Sequence, residues 1–151
     1  MKPSYPRRPS QRPTLFGKKN RRGTATVELA IILPVLLTMT LGTIDVCTAI
    51  FLRESAVLAA YEGARRGVGR DRTNAQVVAR VEEFLNQRNI QYGGNVVEIS
   101  NPGFDTAETL ENVTVTVNIP VAGNTLIPSE IIGDLTVSAG VTMVKEYKNL
   151  N

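Results

Sequence analysis

Few residues in this sequence could do chemistry, and their settings point to recognition rather than catalysis. Glu28 and Asp45 are the only charged residues between Arg22 and Arg53, so each carboxylate stands alone in apolar sequence. Gly23 lies directly behind a basic cluster ending in Arg21 and Arg22. Further on, Glu62-Gly63-Ala64-Arg65 sets a carboxylate within helical reach of Arg65 or Arg66, a surface pair worth a few tenths of a kcal/mol. The chain has no His and one Cys, Cys47. That removes the commonest general base and metal ligand, any internal disulfide, and any Cys-cluster zinc site. The sequence shows no Gly-rich phosphate loop, nucleophile–base pair or carboxylate cluster. Nothing here argues for an enzyme, a cofactor, a metal or a small-molecule substrate.

The chain that positions these residues is sharply divided. Residues 1–22 hold eight basic residues and no acid, with Pro3, Pro6, Pro9 and Pro13 among them. Proline at this density fixes φ and removes donors, so the segment reads as an extended, disordered leader. The remainder holds 9 of the 17 basic residues against all 14 acidic ones, a net of −5. The overall +3 therefore describes a basic tail on a mildly acidic body. Such a tail can seek nucleic acid, anionic lipid or the cytoplasmic side of a membrane. With one Tyr and one Phe it has little to stack on bases, which disfavours nucleic acid.

From Leu29 to Ile44 there are 16 residues without a formal charge. A helix needs roughly 20 mostly apolar residues to cross a hydrocarbon core of ~30 Å. Val27 to Leu52 supplies that length, with Asp45 near the far interface. Eight Lys and Arg precede the segment, whereas Arg53, Arg65 and Arg66 follow it in the company of Glu54 and Glu62. The positive-inside rule then puts the N-terminus in the cytoplasm and the bulk of the chain outside. Pro34 is expected to kink or locally open the helix. Cys47 is expected to be a small buried residue.

Beyond the membrane, Val57, Tyr61, Ala64 and Val68 fall on one helical stripe, and Gly67 and Gly69 look like a stop. Thr73 to Gln76 resembles a capping box opening a second helix. Its apolar face is Val77, Val81, Phe84 and Leu85, and it ends by Gly93-Gly94. The period then changes to two. Val113, Val115, Val117 and Ile119 make a half-buried strand ended by Pro120, and Leu135 to Met143 alternate in the same way. Val96 to Ser100 is a shorter strand, and Pro128 to Glu130 can cap one helical turn. The predicted class is α+β: a transmembrane helix continuing into a stalk helix, then an amphipathic helix packed on a small antiparallel sheet of about three strands. The predicted divisions are a leader at 1–23, the span at 24–52, the stalk at 53–70 and an extracytoplasmic domain at 71–151.

The junction Arg21-Arg22-Gly23-Thr24-Ala25-Thr26-Val27-Glu28-Leu29 resembles a class III signal, the type cut by prepilin peptidase. Such signals have a basic leader ending in Gly, a mature chain whose fifth residue is Glu, and then an apolar helix. Cleavage after Gly23 makes Thr24 the first mature residue and Glu28 the fifth. A carboxylate there costs ~2.5 kcal/mol or more at a bilayer centre, less near its edge, unless it is paired. The newly freed α-amine, its own or a neighbour's, is the natural partner, and the pair would set the register of packed subunits. Alternatively, Glu28 snorkels at the interface, favoured in the first helical turn by the macrodipole.

Taken with Val27-Glu28-Leu29-Ala30, Leu33-Pro34, Gly42-Thr43-Ile44-Asp45 and Glu62-Gly63-Ala64-Arg65, the chain resembles the TadE-like family of pseudopilins. These are minor pilin-like proteins of the tight-adherence (Flp, type IVb) pilus machinery of bacteria. Motifs carry the resemblance over about 21–70, and pattern alone over 113–147. Leu29 departs from the family's usual aromatic, and the leader is long and rich in proline. The resemblance implies a structural, non-enzymatic protein of the inner (cytoplasmic) membrane, processed by prepilin peptidase. Implied partners are the major Flp-type pilin, other pseudopilins, the inner-membrane pilus platform and membrane lipid. Asp45 is read either as a polar contact between subunits or as a marker of the outer interface. The stalk motif is read as a close helix contact through Gly63 with a solvated ion pair, or else as a partner site. The competing function is an uncleaved single-span anchor presenting a small protein- or ligand-binding domain.

Overall fold

The computed structural model describes residues 22–149. The proline-rich leader at 1–21 lies outside the described residues. Contacts divide the chain into Met1–Leu37 and Thr38–Asn151. What is described of the first unit is the opening of one long helix, α1 (Arg22–Val68). Val27, Ile31, Leu36 and Leu37 are all exposed there. The most apolar stretch of α1 has no part buried among the described residues, although a soluble core helix is wrapped by its own protein. Its length and composition suit a membrane crossing and suggest a single-pass membrane protein. The helix runs unbroken through Pro34 and Gly42.

In the second unit, α1 is followed by α2 (Asn74–Gln87), β1 (Val97–Ile99), β2 (Asn112–Pro120), a single turn α3 (Ser129–Ile132) and β3 (Thr136–Val144). The predicted α+β class is therefore the observed one. The strands form an antiparallel sheet in the order β1-β2-β3. Val115 pairs with Ile99 on one side and with Val141 on the other. Alternation puts Val113, Val115, Val117 and Ile119 wholly inside. On the opposite face, hydroxyls and amides pair across β2 and β3: Thr114 Oγ1 with Thr142 Oγ1 at 2.8 Å, and Ser138 Oγ donating to Asn118 Oδ1 at 2.6 Å.

The core lies between α1, α2 and the inner face of the sheet. From α2 come Val77, Val81 and Leu85, as its period requires. The expected stalk stripe needs correcting. Val57 and Tyr61 are exposed and Val68 is half-buried, while Leu52, Ala56, Ala59, Ala60, Gly63, Ala64 and Gly67 face inward. Small residues win this face because the layers approach so closely. A Cβ at Gly63 would lie 2.6 Å from Val81 Cγ2, and one at Gly67 would lie 2.6 Å from the Phe104 ring.

Local signals set the boundaries of α2. Thr73 is its N-cap and accepts from the Gln76 amide at 3.4 Å. The Gln76 side chain accepts from Arg72 at 3.4 Å instead of returning to Thr73. The helix ends at Gln87, short of the expected Gly93-Gly94. Asn89 takes the left-handed conformation, φ 54, so that the Ile90 amide donates back to Leu85 O at 3.1 Å.

Candidate functional site

Gly23 and Thr24 are exposed in the opening turn of α1. A Cβ added to Gly23 would meet nothing within 4 Å among the described residues. Packing among the described residues gives no reason for glycine here, in contrast to Gly63 and Gly67. Glu28 is also exposed, and it has no ion-pair partner among the described residues.

Asp45 differs sharply from its neighbours, since it is only 6% exposed. Its Oδ1 accepts the backbone amide of Leu126 at 2.8 Å, from the loop between β2 and β3. Oδ2 is buried with no hydrogen-bond partner among the described residues. Neither earlier reading of Asp45 included this bond. Asp45 binds its own chain across 81 positions of sequence. Two residues further along, Cys47 is exposed, which corrects the expected burial, because nothing among the described residues covers that side of α1.

The stalk motif is a packing device with an ionic edge. Ala64 is buried and Gly63 admits Val81, Val77 and Val115 to van der Waals range. Glu62 does not pair along its own helix: its carboxylate meets Arg80 of α2 at 3.3 Å. Arg80 also meets Glu83 at 3.0 Å. Donating to Glu83 and then to Glu62 raises the Arg80 pKa above its ordinary value. The pair is partly exposed, so it adds little stability. Arg65 stays exposed beside it.

Sequence reasoning missed Lys145. It is wholly buried at the end of β3, where its ammonium donates to the carbonyl oxygens of Gly67 at 3.0 Å and Gly69 at 2.8 Å. The Glu146 amide adds a bond to Val68 O at 3.3 Å. These donors satisfy carbonyls that the end of α1 leaves unpaired. Burial lowers the Lys145 pKa below the usual lysine value, opposed by the nearby charges of Asp105 and Asp71. A signal was available: residues 137, 139, 141 and 143 face the core, and 145 continues their parity.

No similar protein was found among curated proteins, and no similar fold among solved structures. Residues 23–65, from the junction glycine to the stalk arginine, match the family model described as TadE-like protein, a likeness that agrees with the sequence motifs and suggests a Tad pilus-related component.

Proposed function

We propose that this chain is a minor pseudopilin of a tight-adherence pilus, cut after Gly23 by prepilin peptidase and held in the inner membrane by α1. The leader 1–23 is removed in the cytoplasm. Residues 24–52 span the membrane, 53–70 form the stalk, and 71–151 make an extracytoplasmic domain that meets the major Flp-type pilin, other pseudopilins and the inner-membrane platform. The role is structural. The supporting observation is Gly23: an exposed glycine with no packing reason among the described residues, one residue before the mature start and five before Glu28. In this reading Glu28 pairs with a freed α-amine as subunits pack, which removes the cost of an isolated carboxylate in lipid.

The test is complementation of a strain lacking this gene, scored by pili recovered after shearing. Wild-type chain restores pili, whereas Glu28→Ala is processed and reaches the membrane yet restores few or none. Full piliation by Glu28→Ala, or normal piliation of the deletion strain, contradicts the proposal.

A further inference from the structure

We infer that the loop between β2 and β3, residues 121–135, is a second membrane contact that rests in the outer boundary of the bilayer beside α1. The inference rests on reading α1 as the membrane span. From Thr38 to Leu52, α1 carries one charge, Asp45, and exposes Met39, Val46, Ile50 and Phe51; the next charge is Arg53. Asp45 holds the Leu126 amide at 2.8 Å. Arg53 is eight residues later, so Leu126 is fixed roughly 12 Å before the first cation along the helix axis, at a level where α1 is still apolar.

The surface of the loop suits that level. Leu126 is 62% exposed, Ile131 76% and Leu135 58%, three large apolar side chains presented outward within ten residues. Backbone polar groups tolerate lipid only when paired internally, and this loop pairs many of its own. Ile131 N donates to Pro128 O, Gly133 N to Ser129 O, Asn124 N to Val121 O, and Val121 N to Leu135 O. Asn124 fastens the base of the loop by donating to Pro120 O and to Gln91 O, both at 2.9 Å. Glu130 and Asp134 are its only charges, which limits immersion to the headgroup–acyl boundary and gives anionic lipid nothing to attract.

The chain has no Trp, so single tryptophans report position without a background. Full-length Ile131→Trp, Leu41→Trp and Tyr147→Trp chains are placed in phosphatidylcholine nanodiscs, with and without brominated acyl chains. Leu41→Trp reports the span and Tyr147→Trp the outer domain. The inference expects Ile131→Trp to lose most of its emission to brominated lipid and to resist aqueous iodide, with no change when phosphatidylglycerol is added. Tyr147→Trp should show the reverse. Quenching of Ile131→Trp by iodide overturns the loop contact while quenched Leu41→Trp upholds the span. Protection of Ile131→Trp from both quenchers identifies a protein-covered loop and also overturns it. Unquenched Leu41→Trp overturns the span and the loop together.

Discussion

Lys145 closes α1 from the opposite end of the chain: its Nζ lies 3.0 Å from the carbonyl oxygen of Gly67. The end of β3 is thereby tied to the end of α1, and a break in β3 register would move the ammonium off that carbonyl. Lys145→Met keeps the apolar stem and deletes the donors, leaving two carbonyls short of partners. A buried unsatisfied acceptor costs about 1–3 kcal/mol. The thermal midpoint of the full chain in detergent should fall accordingly, and an unchanged midpoint would show that Lys145 is incidental to the stalk.

The same group gives a pH dependence with a definite sign. Its folded pKa is lowered from 10.5, so the unfolded chain holds the proton more tightly than the fold does. Stability then rises as pH climbs through the lowered folded value toward 10.5, and is flat with respect to this group below that window. Wild type should gain on Lys145→Met over that range in parallel melts. A gap that narrows with rising pH would reverse the sign and contradict the burial account.

Two kinds of glycine should separate cleanly. Gly67→Ala drives a methyl into the buried Phe104 ring, and overpacking of this kind typically costs ~1–3 kcal/mol. Gly23→Ala meets open space among the described residues, so it should leave the melt unchanged or slightly improved while reducing cleavage. Melting curves paired with gel mobility of the membrane fraction check both. A destabilised Gly23→Ala chain would mean that this glycine has a packing role after all.

Much of this was readable from periodicity. α2 and the alternating strands follow from runs in which side-chain polarity repeats at 3.6 or 2 positions, and the long apolar helix from an uninterrupted uncharged run. The inward face of the stalk was not readable in this way. Large apolar residues such as Val57 and Tyr61 mark a stripe, but the close approach of α2 and the sheet selects Ala59, Gly63 and Gly67 instead. Partners far apart in sequence were equally hidden. Glu62 has arginines three and four residues on, yet it meets Arg80, and Asp45 meets an amide that no local pattern identifies. The reading of the junction from Gly23 to Glu28 rests on linear spacing alone, which packing does not touch.

Asp45 should act as an acceptor more than as a charge. Asp45→Asn keeps an oxygen for the Leu126 amide, whereas Asp45→Ala removes it. Hydrogen exchange at Leu126 should be near wild type in the first and faster by about tenfold or more in the second, as loss of a bond worth ~1.5–3 kcal/mol implies. Equal exchange in wild type and Asp45→Ala would show that the loop is held by its base alone.

The most direct test of the central claim is the N-terminus of the membrane-purified chain, read by intact mass with and without a co-expressed prepilin peptidase. The account predicts a peptidase-dependent chain that begins at Thr24 and retains α1. A chain that keeps residues 1–23 in both samples, beside a pilin that the same peptidase cuts, would contradict it and leave an uncleaved membrane anchor in its place.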